Sequence, residues 1–413
     1  MRQFYNSAFG VNLNLSNIEQ ICLGVERDRR RCAIGYPWGI FYLASIVVVR
    51  RNLMNGLKIA ESLRASLEKT RVFMSMPYLE GITPRCMSDS RVRHLVSDTG
   101  IERRDGIFRL DEASLSPFDH GNLYGDAVFE GIRIDSRRVL LLREHIDRWL
   151  KSAERIGLES PYGREELCRI ILELCRESLG KDGTRGYLRP VMTRGIGNLG
   201  VNPWKCIAPT VYIACSSIAL YPDECYEEGI DIAIARRIRR NDARHLDPNI
   251  KTNNYLNNVL ALLETRETGA KETLMLTNDG YVAEATADNI FVAEEVGGRR
   301  ILRCPASRYA LVGLTRATIL ASARGIGFEV VEDDAMLPTD FIGAEREVFI
   351  TGTACGLLPV RSVDGHKTAT ERPLLALLRA EMLRRHASVG YAIDVEATDD
   401  EVSAYMSEAT PLD

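Results

Sequence analysis

Apolar residues recur with two different spacings in the chain beyond residue 100. The segments "EHIDRWLKSAERIGL" and "REELCRIILELCRESLG" repeat them at helical spacing, and a glycine closes the second segment. The segments "AVFEGIRI", "RRVLLLRE", "RGYLRPVMTRG" and "GIDIAIARRI" are short apolar runs, which predicts strands. Helices and strands follow no strict βαβ order, and the glycine-rich turn of a dinucleotide fold is absent. The pattern predicts a mixed α and β (α/β) protein.

The second half of the chain continues this mixture. A helix is predicted over residues 255–269, where Leu256, Val259 or Leu260, and Leu263 share one face. The segment "ETLMLTNDGYVAEATADNIFVAEE" predicts a hairpin with an Asp-Gly turn and a further strand. The segment "TRATILASARGIG" predicts a helix, and "EVFITGTACGLLPVRSV" predicts a strand that breaks at a glycine and resumes.

The chain offers one clear candidate for a linker, the Gly-, Pro- and Asn-rich stretch "GNLGVNPWKCIAP" (197–209). We therefore predict a small α/β domain over residues 93–203 and a larger α/β domain over residues 204–390. Residues 1–92 are predicted to be an N-terminal extension, and residues 391–413 a polar tail.

The first 86 residues differ in charge from the rest, with twelve Lys and Arg against six Asp and Glu. Their apolar stretch (39–49) is too short to span a bilayer, which needs about 20 residues, and it starts late for a signal peptide. Three interpretations stay open. The start is mis-assigned and Met87 or a nearby methionine is the first residue, or the segment is a lineage-specific extension or targeting sequence, or it is a docking domain.

Composition narrows the classes of function. The net charge of −4 argues against a general nucleic-acid binder, which would usually carry a basic domain. The ten cysteines form no C-x-x-C pair, so zinc and thioredoxin-like sites are not expected. Without a convincing secretory signal, the cysteines indicate reduced thiols in a cytoplasmic protein. We expect no metal, no nucleic acid and no membrane as partners.

One lysine stands out in "DPNIKTNNYLNNVLALLE". The chain has only eight lysines among 53 basic residues, and Lys251 lies where the predicted helix begins. A helix N-terminus carries a partial positive charge of about +0.5, which disfavours an ammonium ion. A neutral amine attacks carbonyl groups, so Lys251 is a candidate Schiff-base residue. The alternative is an ordinary helix-start lysine that reaches solvent.

Other residues supply candidates for binding an aromatic cation and a phosphate. Glu284 lies in the apolar strand "GYVAEATADNIF", where a buried carboxylate needs a cationic partner such as a pyridinium N–H. Leu314 and Thr315 follow a glycine at a predicted helix start, where backbone N–H groups bind anions. The turn "TGTA" (351–354) and Arg148 offer further donors. A surface glutamate and ordinary helix caps are the alternatives.

A carboxylate substrate needs its own anchors. Tyr187 and Arg189 lie two residues apart on one face of a predicted strand. Tyr124, Phe129 and Arg133 in "YGDAVFEGIR" would place an apolar wall beside a cation. Ordinary strand packing with exposed arginines is the alternative.

Eight motifs occur in collinear order: "YGDAVFEGIR", "REHIDRWLKSA", "YLRPV", "GVNP", "IKTNNYLNN", "VAEATADNIF", "GLTRATI" and "TGTACGLLPVRSVDG". In this order the chain resembles the class IV pyridoxal-phosphate aminotransferases, and most closely the branched-chain amino-acid aminotransferases. The likeness runs from about residue 100 to about residue 390. It implies the two-domain fold of the fold type IV enzymes, pyridoxal 5′-phosphate as cofactor, and a homodimer or higher oligomer.

The resemblance also implies a role for each candidate. Lys251 would form the Schiff base and carry the proton, Glu284 would bind the ring nitrogen, and Tyr255 would bind the phenolic oxygen. The remaining residues fall into two groups: Arg148, Leu314, Thr315 and Thr353 for the phosphate, and Tyr124, Phe129, Arg133, Tyr187, Arg189 and Ala354 for the substrate. The implied reaction moves the amino group of L-leucine, L-isoleucine or L-valine to 2-oxoglutarate, giving glutamate.

Two alternatives remain. Enzymes acting on D-amino acids and aminodeoxychorismate lyases share the fold, although the Tyr-x-Arg spacing of Tyr187 and Arg189 resembles the branched-chain enzymes. A non-catalytic protein that only binds pyridoxal phosphate is the second alternative, and the presence of both Lys251 and Glu284 speaks against it.

Overall fold

A computed structural model describes residues 68–96, 101–181, 183–216 and 221–412. Ala65–Asp413 forms one compact unit. The apolar stretch at 39–49 lies outside the described residues, so its interpretation stays a prediction. The mixed α/β fold expected from the sequence is confirmed.

The described residues contain two sheets of nine strands each. The first sheet comprises β1 (Arg71–Pro77), β2 (Arg93–Val96), β3 (Glu102–Arg109), β4 (Ala127–Phe129), β5 (Ile132–Asp135), β6 (Arg138–Leu140), β7 (Gly186–Thr193), β8 (Thr210–Ser216) and β18 (Ala392–Asp394). The second comprises β9 (Ile230–Arg239), β10 (Glu272–Leu276), β11 (Val282–Ala285), β12 (Asn289–Val296), β13 (Arg299–Pro305), β14 (Glu329–Asp333), β15 (Glu347–Gly352), β16 (Gly356–Val363) and β17 (His366–Lys367).

The order in the first sheet is β18-β6-β5-β7-β8-β1-β3-β2, with β4 paired to β7. The order in the second is β11-β10-β9-β16-β15-β12-β13-β14, with β17 paired to β16. The helices in the described residues are α1 (His120–Tyr124), α2 (Leu142–Arg155), α3 (Arg164–Leu179), α4 (Asp223–Glu228), α5 (Ala243–Leu246), α6 (Leu256–Thr265), α7 (Leu314–Gly325), α8 (Pro373–Ala387) and α9 (Asp399–Ser407).

Strand β1 lies inside the predicted N-terminal extension, yet it is a central strand of the first sheet. It pairs along its length with β3 on one side and with β8 on the other. Phe73 and Met74 on this strand are buried. A chain starting at Met87 would lose the strand that joins β3 to β8, so the folded part includes residues from Arg71 onward; a start at an earlier methionine and the other interpretations of the extension stay predictions.

The Gly- and Pro-rich stretch (197–209) is not the junction between the sheets. It connects β7 to β8, which pair with each other in the first sheet. The chain first enters the second sheet at Ile230, so the predicted division at residues 203–204 falls within the first sheet. A composition rich in turn-forming residues indicates a long connection. It does not distinguish a connection between two neighbouring strands of one sheet from a connection between two sheets.

The predicted polar tail is folded onto the first sheet. Strand β18 pairs with β6, and α9 follows with Thr398 as its cap. Three side chains of α9, Val402, Tyr405 and Met406, are buried against the first sheet's core. These few apolar residues are spread among acidic ones, which explains why the composition of the segment predicted a polar tail.

Helix α6 forms where it was predicted, but its apolar face points outward. Leu256 and Leu263 are more than half exposed, and Val259 and Leu260 are also exposed. The buried side of this helix carries Asn258, Ala261 and Thr265 instead.

Candidate active site

Residues from both sheets surround a cavity of about 510 Å³. Ligand sites for small molecules typically enclose about 300–1,000 Å³. Eleven of the thirteen residues singled out from the sequence line this cavity, namely Phe129, Arg148, Tyr187, Arg189, Lys251, Tyr255, Glu284, Leu314, Thr315, Thr353 and Ala354. The two that do not are Tyr124 and Arg133.

Lys251 is held by the first sheet rather than by a helix. The N–H of Phe129 donates to the Lys251 carbonyl at 2.9 Å, and α6 begins only at Leu256. The expected field of a helix N-terminus therefore does not explain this lysine. Its Nζ lies 4.7 Å from the centre of the Phe129 ring and 6.0 Å from that of Tyr255. No carboxylate of the described residues forms an ion pair with it.

Glu284 is buried on β11 and is only partly compensated by its neighbours. Arg240 Nε donates to its Oε1 at 2.7 Å. Its Oε2 accepts from the Leu311 N–H at 3.2 Å and from Asn289 Nδ2 at 3.3 Å. Burial raises the pKa of Glu284, and the positive charge of Arg240 opposes this effect without cancelling it. The negative charge of Glu284 is therefore not fully balanced, and the carboxylate can accept a hydrogen bond from a second cationic donor.

Arg148 is anchored from behind by a buried glutamate. Its Nε and Nη2 donate to the two oxygens of Glu130 at 2.7 and 2.8 Å, and Nη1 donates to the Val312 carbonyl at 2.9 Å. His145 Nδ1 contacts the same carboxylate at 2.7 Å. Burial opposes ionisation of Glu130, but Arg148 and His145 overcome it and hold the pKa of Glu130 well below its usual value.

The start of α7 adds backbone donors to the cavity. Gly313 is its N-cap and supplies no side-chain cap, so the first N–H groups of the helix are left for another partner. Leu314 and Thr315 line the cavity together with Thr353. A Cβ on Gly313 would clash with Asn289, so glycine allows the close approach of this turn. Arg148 and the α7 start together provide donors suited to a phosphate.

An aromatic and cationic wall closes the other part of the cavity. The Phe129 and Tyr255 rings meet edge to face at 5.2 Å between centres. The Arg189 guanidinium lies 4.7 Å from the centre of the Phe129 ring and 5.7 Å from that of Tyr187. A Cβ on Gly131 would clash with the Tyr187 hydroxyl, so glycine at this position allows the tyrosine side chain to approach the backbone closely. Arg189 has no ion-pair partner among the described residues.

Tyr124 and Arg133 lie outside the cavity, contrary to expectation. The Tyr124 hydroxyl donates to the Leu199 carbonyl, and the ring is partly exposed. Arg133 pairs with Asp135 at 3.4 Å, and its Nη1 ends 3.6 Å from where a Cβ on Gly356 would stand. The sequence motif places both residues near the cavity, but not on its surface.

Three charged residues at the site escaped the sequence reasoning: Glu130, Arg240 and Asp288. Glu130 could have been found, because it is a carboxylate within an apolar run just as Glu284 is. Arg240 has no such signal, since it stands in the arginine-rich stretch "ARRIRRNDAR". Asp288 is one of several acidic residues flanking Glu284 and carries no distinguishing spacing.

The residues present fit a phosphate-bearing aromatic aldehyde with a basic ring nitrogen. Lys251 supplies an amine without a carboxylate partner, and Glu284 supplies an under-compensated acid for a ring N–H. Arg148 and the α7 start supply the donors for a phosphate. This combination of an amine, an acid and an anion site is what pyridoxal phosphate requires.

Comparisons with known proteins agree with this donor set. The family model "Amino-transferase class IV" matches residues 127–363. A putative branched-chain-amino-acid aminotransferase of Methanocaldococcus jannaschii is 40% identical over 255 residues, which is 62% of this chain and 84% of that protein.

Solved structures give the same result. The Escherichia coli branched-chain amino acid aminotransferase matches with a TM-score of 0.64 and 28% identity, covering 70% of this chain and 97% of that one. A Thermoproteus uzoniensis branched-chain aminotransferase with norvaline matches with a TM-score of 0.63 and 26% identity, covering 70% and 97%. Other matching branched-chain enzymes have been solved with pyridoxamine 5′-phosphate, with N-(5′-phosphopyridoxyl)-L-glutamate and with 4-methylvaleric acid.

The described residues contain no helix with the length and apolar character needed to cross a membrane. They also contain no group of three or more His, Cys, Asp or Glu side chains placed to hold a metal ion.

Proposed function

Because the chain belongs to the class IV amino-transferases and is a pyridoxal-phosphate-dependent transaminase, we propose that its substrates are the branched-chain amino acids. In the first half-reaction, L-leucine, L-isoleucine or L-valine would donate its amino group and leave as the 2-oxo acid. In the second, 2-oxoglutarate would take up the amino group and leave as glutamate. The cofactor would carry the amino group between the two halves, and the cycle is ping-pong because the first product leaves before the second substrate binds.

The observation that carries the proposal is the meeting of Lys251, Glu284 and the wall of Phe129, Tyr187 and Arg189 in one cavity. Phe129 offers an apolar surface to a branched side chain. Arg189, which has no ion-pair partner among the described residues, offers a cation to the second carboxylate of 2-oxoglutarate. A single pocket can thus accept both partners in turn.

When bound, pyridoxal phosphate supplies an aromatic ring that accepts the negative charge developing at the substrate Cα. Glu284 would hold the ring nitrogen, Tyr255 would hold the phenolic oxygen, and the phosphate would be held by Arg148, Leu314, Thr315 and Thr353. Lys251 Nζ removes the proton from Cα as general base. The Thr353–Ala354 turn and Tyr187 would orient the substrate α-carboxylate.

The experiment compares L-leucine with D-alanine as amino donor and 2-oxoglutarate as acceptor. We expect turnover with L-leucine, and Lys251→Ala should abolish it. Borohydride reduction of the holoenzyme should fix a pyridoxyl label on Lys251, detected by peptide mapping. Lys151→Ala on α2, distant in sequence and not lining the cavity, is the matched control and should keep turnover. Turnover of D-alanine but of no L-branched substrate would refute the proposed substrate class.

We also propose that the protein is a homodimer whose interface includes the exposed face of α6. Five large apolar side chains stand exposed on this ten-residue helix: Leu256, Val259, Leu260, Leu262 and Leu263. Exposed apolar patches of this kind mark interaction sites. Leu260→Glu should lower the molar mass measured by light scattering to that of one chain. A wild-type protein that is already monomeric at micromolar concentration would refute the proposal.

A cytoplasmic location is the remaining proposal. Eight cysteines among the described residues are free thiols, including the buried Cys168 and Cys175. Free thiols are typical of reducing compartments. Fluorescence of a tagged full-length chain in fractionated cells would test the location.

A further inference from the structure

Asp288 places a buried carboxyl group at the Thr353–Ala354 turn. Its side chain lines the cavity, and only 7% of the residue is exposed. Its Oδ1 accepts a hydrogen bond from Cys355 Sγ at 3.3 Å. The same oxygen lies so close to Gly352 that a Cβ on that glycine would clash with it. The residues on both sides of the turn therefore contact Asp288.

Unlike Glu130 and Glu284, Asp288 has no cationic partner among the described residues. Its buried neighbour Glu272 has no cationic partner in the described part of the chain either, where it accepts hydrogen bonds only from Thr273 and Thr286. Burial, followed by the negative charge of Glu272, raises the pKa of Asp288 to about 7. The titratable groups that act on Asp288 or are affected by it are Tyr187, Tyr221, Tyr226, Lys251, Glu272, Glu284 and Cys355.

An ionised Asp288 and a substrate carboxylate at the same turn would repel each other. Among the described residues, no arginine or lysine forms an ion pair with Asp288 that would offset this repulsion. We infer that Asp288 is a substrate-binding residue that donates its carboxyl O–H to the α-carboxylate of the bound substrate. Binding then takes up one proton whenever Asp288 is ionised in the free enzyme. This inference rests on the proposed function, because it requires the α-carboxylate to occupy the turn.

The consequence is a pH dependence of binding with a defined sign. Below its midpoint near pH 7, Asp288 already carries its proton, and affinity for a carboxylate is constant. Above that midpoint each binding event must first protonate Asp288, so affinity falls about tenfold per pH unit. A group that only packs against the turn would produce neither effect.

The experiment uses the holoenzyme in its pyridoxamine-phosphate form with 4-methylvaleric acid, a carboxylate without an amino group that cannot be transaminated. Calorimetry from pH 6 to pH 9, in buffers with different ionisation enthalpies, gives both affinity and proton uptake. We expect the affinity to decline above pH 7 and about one proton to be taken up at pH 8. These readouts do not depend on turnover.

Three variants separate the causes. Asp288→Asn keeps the size and an N–H donor but cannot take up a proton, so its affinity should not change with pH and its uptake should be zero. Glu272→Gln removes the neighbouring charge and keeps an acceptor for Thr286, so the midpoint should move to lower pH. Glu347→Gln changes a buried glutamate that caps α8 away from the cavity, and should leave both readouts unchanged.

Equal pH slopes and equal proton uptake in wild type and Asp288→Asn would overturn the inference. If Asp288→Asn does not fold, an unchanged midpoint in Glu272→Gln would overturn it instead. If the wild-type enzyme binds the analogue without taking up a proton, only the role of Asp288 is refuted and the proposed function stands. A protein that binds neither cofactor nor analogue refutes the proposed function and this inference together.

Discussion

Arg148 with Glu130, and Arg240 with Glu284, are two buried arginine–glutamate pairs that face the cavity in opposite senses. In the first pair the arginine lines the cavity and the glutamate stands behind it. In the second pair the glutamate lines the cavity and the arginine stands behind it. The same chemical pair thus gives the cavity a positive surface at one place and a negative surface at another.

The two carboxylates also differ in how fully they are neutralised. Glu130 accepts a two-pronged contact from Arg148 and a further one from His145. Within the described ranges, Glu284 accepts a single hydrogen bond from Arg240, and its other oxygen accepts only from the neutral donors Asn289 and Leu311. Their pKa values accordingly move in opposite directions, lowered for Glu130 and raised for Glu284. Glu130, which positions Arg148, is thus neutralised by its neighbours, whereas Glu284 keeps the capacity to accept the positive charge that we propose a ligand supplies.

The largest effect should come from removing the two arginines. Arg148→Met and Arg240→Met each remove the arginine partner of a buried carboxylate, so each should lower the unfolding free energy of the cofactor-free protein by about 3–5 kcal/mol. Their ligand effects should differ. Arg148→Met should lose the preference for pyridoxal phosphate over unphosphorylated pyridoxal, while Arg240→Met should weaken binding of both.

Denaturant unfolding and cofactor titration measure these quantities. The matched control is Arg137→Met, which removes an arginine that does not line the cavity and should leave both affinities unchanged. An equal loss of affinity for the two cofactor forms in Arg148→Met would contradict its assignment to the phosphate.

Glu284→Gln should have the next largest effect. It keeps the hydrogen-bonding shape but removes the negative charge offered to the ring nitrogen, so kcat with L-leucine should fall about 100- to 1,000-fold. Steady-state kinetics at saturating cofactor measure it. Glu347→Gln, another buried glutamate far from the cavity, should retain near wild-type kcat. A fall of only a few fold in Glu284→Gln would mean that the ring nitrogen is held by another group.

The fold was predictable where periodicity is strong. Helices α2 and α3 occur where the spacing placed them, and β15 breaks at Gly352 as expected. Strand β1 was missed because it lies next to a stretch with no clear pattern. The outward face of α6 could not be predicted, since periodicity shows which residues share a face but not which way that face points.

The site was predictable only at its surface. Motif spacing identified residues that line the cavity, such as Lys251 and Arg148, whose roles remain proposals. The partners behind them are set by tertiary packing: Arg240 lies 44 positions from Glu284, and no local rule joins them. Among 45 arginines, the one that pairs with the buried acid cannot be recognised by type alone. Asp288 forms no ion pair within the described residues, and this too depends on tertiary packing that spacing does not give.

Acid titration should distinguish the two pairs with a smaller effect. Because the pKa of Glu130 is lowered in the folded state, it stabilises the protein above the usual glutamate range, and that stability is lost as pH falls. The difference in melting temperature between wild type and Glu130→Gln should therefore narrow as the pH falls from about 5 to about 2. Glu284→Gln should show no such narrowing, because its pKa shift has the opposite sign. If the melting temperatures of wild type and Glu130→Gln fall in parallel as the pH is lowered, the proposed difference between the two carboxylates is contradicted.

The smallest effect should come from Arg240→Lys, which retains the charge behind Glu284 and changes only its geometry. A lysine ammonium is a compact point charge and cannot reproduce the orientation of a guanidinium, so Glu284 should be held less firmly while its ionisation is largely preserved. We expect kcat to fall about fivefold, and the pH at which the bound cofactor's absorbance changes to shift little. Arg240→Met should shift that pH clearly, because the opposing charge is then gone. Equal spectral shifts in the two variants would show that Arg240 acts by packing rather than by its charge. The comparison between the two arginine–glutamate pairs would then fail, because Arg240 would not balance the charge of Glu284.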